Sequence, residues 1–375
     1  MTHEIELKLR FDPAAADRLA NLLDQLTGKG DQFTLNNRYY DTPDARLSRA
    51  ACALRVRQKG PAFEQTLKTR GSHQGGLSVR REWNWPLVSA ELDEQLLQSG
   101  EVPQFWPAEV AVADLVALFS TNFERRRWLW SAADQQVEIV MDRGAVEAAG
   151  QQQPLCELEL ELLQGEPQCL WQLAQSLCGQ VPLWISDISK AERGFKLVGM
   201  GRSWTPSSLV LPAEPNESEW LAALEQCDEG LQRALEACLW DQGAEAAAAR
   251  PRLAHYLLLL QGLLAQRVLP AELEVVVAAL DSGVKTLLVS AAALSDDCSI
   301  ELSAALLALG GWLYDCHQQA PQLPVLTHSR DAHLATANQF AVQYYRLIQQ
   351  QPLTAGEPWP AVLLDWLQEH GSVTH

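Results

Sequence analysis

HEIELKLR, residues 3–10, alternates charged and apolar side chains. In an extended strand Glu4, Glu6 and Lys8 share one face, and Ile5, Leu7 and Leu9 share the other. Taken alone, the stretch reads as an edge strand with a wet face. The same grammar recurs six times. Arg55 and Arg57 share a face in ALRVRQ (53–58), and Glu64, Thr66 and Lys68 in FEQTLKT (63–69). Arg80 and Glu82 do so in LSVRREWNW (77–85), and Arg125 and Arg127 in FERRRWLW (123–130). QVEIVMD (136–142) sets Glu138 with Asp142, and CELELELL (156–163) sets Glu157, Glu159 and Glu161 against Cys156, Leu158, Leu160 and Leu162. LNNRYY (35–40) reads as an eighth strand.

Two architectures fit this pattern. Either an open sheet turns its charged face to water, or the sheet closes into a barrel with the charge inside. Closure also removes edge strands. Like charges sit together within strands: three glutamates on one, arginine pairs on others. A solvent face interleaves signs more evenly. Same-sign strands facing opposite-sign strands suit a cavity holding cation and anion together. The pattern by itself leaves both architectures open.

Bulk properties narrow the function. Net charge is −18 over 375 residues, which argues against a general binder of nucleic-acid backbones. No run of eighteen apolar residues suggests a membrane span, and no apolar leader precedes the first strand. Eight cysteines without a CxxC pair read as reduced thiols of a cytoplasmic protein. GG at 75–76 is not a phosphate loop, because no GKS or GKT follows.

The chain reads as two halves. Residues 1–200 mix strands with helices near 13–27 and 166–179, and Asp12 before Pro13 is a cap signal. Residues 201–217 are rich in proline and serine and read as a linker. Residues 218–375 are Ala/Leu-rich, with helices expected at 218–239, 243–266, 270–293, 299–318, 329–350 and 359–370. From 206 onward there are 20 acids and 7 lysines or arginines, a balance of −13. His328 and His333 stand five apart, which is poor spacing for one helix face, so these and the other histidines of this half read as structural or surface groups. Trp220, Trp240, Trp312, Trp359 and Trp366 read as core or interface anchors.

In order along residues 1–200, ExExK (Glu4, Glu6, Lys8), LRVR, EQTLK, RxE, an arginine strand, a strand ending in Asp142, CELELELL and SDISKAERGF resemble the CYTH family of triphosphate tunnel enzymes. YYDTPD and STNFERRRW resemble the bacterial inorganic triphosphatases that carry a C-terminal CHAD domain. The resemblance implies an α+β fold: a closed eight-stranded antiparallel barrel with flanking helices, followed by an all-α domain. It implies residues 1–200 as the catalytic tunnel and 218–375 as a CHAD-like domain, poor in the basic residues that polyphosphate would need.

The implied activity is metal-dependent hydrolysis of inorganic triphosphate to diphosphate and phosphate. Lys8, Arg55, Arg57, Lys68, Arg80, Arg125, Arg127 and Lys190 are the implied substrate contacts, since arginine forks and lysine point charges suit phosphate. Glu4, Glu6, Asp142, Glu157, Glu159 and Glu161 are the implied ligands of Mg²⁺ or Mn²⁺. Glu4, Glu6, Lys8, Lys68 and Lys190 are expected to matter most for catalysis. Arg81, Arg126 and Lys59 read as surface groups, and Tyr39 and Tyr40 as packing residues. The expected partners are the small-molecule substrate and, through the helical domain, a second copy of the chain or another protein, with no nucleic acid or membrane. Other readings are a thiamine- or nucleoside-triphosphatase, a cyclase of the same fold, and a non-catalytic phosphate sensor.

Overall fold

A computed structural model describes residues 2–69, 71–74, 76–201, 216–240, 244–265, 271–289, 296–318, 343–344, 347–348 and 360–370. The chain divides into two compact units. One holds Met1–His73, Leu77–Leu170 and Asp187–Ser203; the other holds Gln74–Gly76, Trp171–Ser186 and Trp204–His375. Helix Gln168–Cys178, expected with the strands, thus falls largely in the helical unit.

The first unit is a closed barrel. Its strands are β1 (Thr2–Arg10), β2 (Asp31–Asp41), β3 (Ala53–Lys59), β4 (Ala62–Lys68), β5 (Leu77–Leu87), β6 (Val116–Ala132), β7 (Gln135–Ala148) and β8 (Gln151–Gln164). The order around the barrel is β1-β8-β7-β6-β2-β3-β4-β5, and β5 returns to β1. All eight pairings are antiparallel. Each strand of the circuit therefore has two partners, and the charged faces turn inward. β6, β7 and β8 are linked by two-residue turns. At the second, Ala149 and Gly150 take φ of 50° and 78°, the paired positive angles of a type I′ turn, although no Asn-Gly or Asp-Gly advertises it.

Apolar positions of the strands form the outer shell. Leu7, Leu9, Leu54 and Leu67 have no exposed surface. Each such leucine contributes on the order of 2 kcal/mol by leaving water. Helix α1 (Ala16–Thr27) packs on β6, and α2 (Lys190–Leu197) packs on β6, β7 and β8. The expected flanking helices are present, but they are not the whole cover. Over β3–β5 the cover is segment 88–115, a largely irregular stretch whose Leu97, Val102 and Val110 close on Leu54, Leu67 and Trp83. Arg126, expected at the surface, lies on the outer wall. It pairs with Asp24 of α1 at 2.9 Å, and Asp24 also accepts from Trp128 Nε1 at 2.8 Å.

YYDTPD turns the chain from β2 toward β3. Asp41, fully buried, accepts hydrogen bonds from the backbone N–H groups of Thr42, Leu47 and Ser48 and so caps a single helical turn, Arg46–Arg49.

The second unit is helical, with α3 (Glu217–Trp240), α4 (Ala244–Leu264), α5 (Ala271–Val289), α6 (Asp296–Gln318) and α7 (Ala361–His370). Residues of α3 and α4, many of them leucines, make more than half of its core, and Trp220 donates to the Leu263 carbonyl at 3.0 Å. Most of the expected linker and most of the expected helix 329–350, with His328, His333 and Trp359, lie outside the described residues. No helix among the described residues is long and apolar enough to cross a membrane.

Gly194 of α2 fits because it has no side chain: a Cβ there would stand 2.1 Å from the Phe119 ring. Gly194→Ala should therefore lift α2 from the wall and cost about 1–3 kcal/mol, as overpacking does. Urea unfolding monitored by barrel tryptophan fluorescence measures it.

Candidate functional site

Strand register sets which charges meet inside the barrel. Across β6, β7, β8 and β1, one row runs Arg125, Asp142, Glu157, Arg10. Two residues further, the row is Arg127, Val140, Glu159, Lys8. The next is Leu129, Glu138, Glu161, Glu6. Charge balance thus gives way to crowded acid along the barrel. On the other side, β2 sets Asn37 and Tyr39 opposite Arg57 and Arg55, and β4 sets Lys68 opposite Glu82 of β5.

These inner faces enclose a cavity of about 460 Å³. Glu4, Glu6, Lys8, Arg55, Arg57, Lys68, Arg80, Arg125, Glu159, Glu161 and Lys190 all line it, as do Tyr39, Glu64, Glu82 and Glu138. Opposite charges pair closely. Lys68 Nζ lies 2.7 Å from both Glu4 and Glu82. Arg80 bonds Glu6. Arg125 grips Asp142 with two bonds of 2.7 Å and reaches Glu159 at 3.2 Å. Such forked, charge-assisted bonds fix a guanidinium in direction as well as place.

α2 delivers Lys190. Ser189 caps the helix by accepting from Glu192 N–H at 3.1 Å, and Phe195 meets Phe119 edge-on at 5.1 Å. Lys190 Nζ then stands 2.9, 2.7 and 2.8 Å from Asp142, Glu157 and Glu159. Burial works against its charge, but the three carboxylates raise its pKa well above the ordinary value. One turn on, Arg193 meets Glu157 at 3.3 Å. The motif SKAERGF is therefore a docking device: cap, ammonium, guanidinium, a gap for Phe119, and a ring to fill it.

Three expected site residues stand elsewhere. Arg127 shares parity with Arg125 but lies nearer the strand end. It is 42% exposed, pairs with Asp31 at 2.8 Å and lines a separate cavity of about 420 Å³ with Trp128 and Leu129. Asp142 and Glu157 have no exposed surface and do not line the main cavity, because Lys190, Arg125 and Arg193 close over them. Arg10 and Arg193 were not anticipated. The alternation beyond Lys8 points to the first, and the i, i+3 spacing from Lys190 points to the second. Tyr39 both packs, stacked on Phe119 at 4.8 Å, and lines the cavity.

The two ends of the cavity differ in electrostatics. Burial opposes charge on Glu6, but Lys8 and Arg80 hold it down to about 2. Glu159 is likewise held well below the carboxylate range, by Lys190, Lys8 and Arg125. Glu161 goes the other way, to about 7, through burial and then the charges of Glu4, Glu138 and Glu6. Burial, with Arg55 and Arg125 beside it, pushes Arg57 down to about 9, so it stays cationic at neutral pH. Among the described residues no ion pair reaches Arg55 or Arg57, and Arg55 Nε, buried, has no hydrogen-bond partner. One side therefore carries unmatched positive charge and the other unmatched carboxylate.

Hard oxygen donors with excess negative charge fit a divalent cation of the Mg²⁺ or Mn²⁺ kind. Among the described residues no three acids already surround one point, since Lys68 and Arg80 hold Glu4 and Glu6. In the helical unit, His255 Nδ1 lies 2.7 Å from the Tyr344 hydroxyl, and burial pushes its pKa down to about 4, as a structural histidine requires.

A family model described as the CYTH domain matches residues 2–195. An inorganic triphosphatase of Haemophilus influenzae is 34% identical over 198 residues, covering 52% of this chain and 55% of that protein. The chain thus spans about half the length of this curated relative. Among solved structures, an adenylyl cyclase of Hippeastrum described as having a dominant triphosphatase activity is 21% identical, with TM-score 0.41, covering 52% of this chain and 95% of that one. A Bacillus halodurans structure, described as that of a candidate adenylate cyclase, is 20% identical, with TM-score 0.32, covering 56% and 97%.

Because the Glu161 pKa is raised on folding, the folded state binds the extra proton between the unfolded carboxylate value and about 7. Its contribution is favourable at low pH and is lost as pH rises through that window. In chelator, Glu161→Gln should raise the melting temperature at pH 8 and leave it nearly unchanged at pH 5. Melting curves at the two values check this.

Proposed function

The chain belongs to the CYTH family, and from that premise we propose that its barrel hydrolyses inorganic triphosphate to diphosphate and phosphate with a divalent metal ion. The observation that carries the reading is the pair Arg55, buried, and Arg57, half-buried, cations in a charged cavity with no carboxylate bonded to them among the described residues. Holding such charge away from water is costly unless an anion answers it. The relative's activity as an inorganic triphosphatase supports the substrate class. The lining supports the inorganic form. Among the described residues it is mostly charged, and its one ring, Tyr39, is already stacked on Phe119, which leaves no free aromatic platform there for a base or a thiazolium.

In this reading Arg55, Arg57, Arg125, Arg80, Lys8, Lys68 and Lys190 hold a linear polyanion along its length. Glu4, Glu6, Glu159 and Glu161 would hold Mg²⁺ or Mn²⁺. The cation supplies charge neutralisation at phosphate oxygens and makes water a stronger acid. Glu82 shares Lys68 with Glu4 and so keeps that ammonium aimed into the cavity. Asp142 and Glu157 hold Arg125 and Lys190 in place rather than meeting metal. Catalysis is then chiefly a matter of aligned phosphorus and preset charge. The helical half is read as a CHAD-like module that pairs two copies of the chain, a reading that sedimentation equilibrium tests.

Phosphate release from triphosphate, ATP and thiamine triphosphate, with Mg²⁺ or Mn²⁺, is the deciding assay. Triphosphate should be turned over fastest. Glu6→Gln should lower kcat/KM by on the order of 10²-fold or more. Arg57→Ala should act mainly on KM, raising it about tenfold, the loss of one charge-assisted contact. Tight binding of triphosphate without turnover under either metal would sink the enzymatic reading.

A further inference from the structure

Resting on the phosphate-binding reading of the cavity, we propose that Asn37 is a positioning residue: it fixes the direction of Arg57 through a neutral acceptor and so leaves the guanidinium's charge available to the anion. Arg57 Nε donates to Asn37 Oδ1 at 2.8 Å. Asn37 is 2% exposed and lies directly opposite Arg57 in the β2–β3 pairing. Its own amide is held from behind. Nδ2 donates to the Thr121 carbonyl at 2.9 Å and to Thr121 Oγ1 at 3.1 Å. Those two bonds fix the amide so that its oxygen faces Arg57. Thr121 is itself fully buried, so the support is rigid.

The contrast with the rest of the cavity gives this arrangement its meaning. Arg80 is bonded to Glu6, Arg125 to Asp142 and Glu159, Lys68 to Glu4 and Glu82. Each of those cations shares its charge with a carboxylate. On β2, the strand beside the two arginines of β3, the inward residues are amide and phenol: Asn37 opposite Arg57, and Tyr39 opposite Arg55. A carboxylate at position 37 could still accept from Arg57 Nε, although it would lose the donation to the Thr121 carbonyl. It would also cancel the charge and place a repelling group near the phosphate oxygens. Asparagine separates the two jobs.

Two readouts test this, one needing the ligand and one independent of it. Calorimetric titration with inorganic triphosphate in chelator compares wild type, Asn37→Ala and Asn37→Asp. Asn37→Ala frees Arg57 and should weaken binding several-fold, about the worth of one hydrogen bond. Asn37→Asp keeps an acceptor but should weaken binding by on the order of 10- to 100-fold, because it adds a like charge beside the anion. A purely structural role predicts that in each variant the loss of binding follows the loss of melting temperature. Asn37→Asp binding as tightly as Asn37→Ala or wild type would overturn the proposal.

Independently of any ligand, the Arg57 Nε–H resonance should be protected from solvent exchange in wild-type protein and lose that protection in Asn37→Ala. An unprotected Arg57 Nε–H in wild type overturns the proposal even if the variants misfold. Wild type that fails to bind triphosphate while Arg57 stays protected would count against the proposed substrate and not against this positioning role.

Discussion

A charge inside a closed sheet has no water to answer it, and the rest of this structure follows from that. Removing one ion from solvent costs several kcal/mol even after relaxation, so register must bring it a partner. β1 carries the heaviest share. It is paired with β5 on one edge and β8 on the other, and Glu4, Glu6, Lys8 and Arg10 thereby meet Arg80, Glu161, Glu159 and Glu157 as cross-strand neighbours. A slip of one residue would turn the whole set outward and drive Leu7 and Leu9 into the polar interior. The apolar shell and the ionic interior therefore specify the same register independently.

Neutralisation is deliberately incomplete. Lys190 has three carboxylates around it, more than one ammonium needs, while among the described residues Arg57 is bonded to an amide and to no carboxylate. The first arrangement ties a helix to the barrel; the second leaves a field in the cavity. Glu161 marks the opposite pole, where acids outnumber cations and the proton is retained to near neutrality. A cavity polarised in this way is complementary to a polyanion accompanied by a divalent cation, a pair that also cancels its own charge.

Much of the barrel was legible because period-two alternation with charge is a loud signal. All eight expected strands are present, most of them longer than expected. Closure was not legible, since nothing local in HEIELKLR or LSVRREWNW says that these two strands meet. Segment 88–115 has no period to read, because an irregular cover packs by shape. Within the site, parity identified the inward residues but not their depth. Arg125 and Arg127 share a face, yet one lies in the cavity and the other at the barrel's rim. Asp142 and Glu157 have the right parity and lie behind other side chains. Asn37 is invisible in a pattern of charge, and its contribution depends on having none.

β1 also has a consequence for the order of events in synthesis. It is made before the other strands of the barrel, with a face of acids and bases that is of no use as a core. Its partners are β5 and β8, and the latter begins at Gln151, near the far end of the barrel sequence. Until that strand exists, one edge of β1 is open, and Glu157 and Glu159, which clasp Lys190, have not been made. Contacts so distant in sequence are slow to form, because loop closure must come before they reward it. The nascent barrel is thus a long meander held by its later hairpins. β1 can meet β5 earlier, but its edge with β8 closes last, and that step completes the charged interior as it shuts out water.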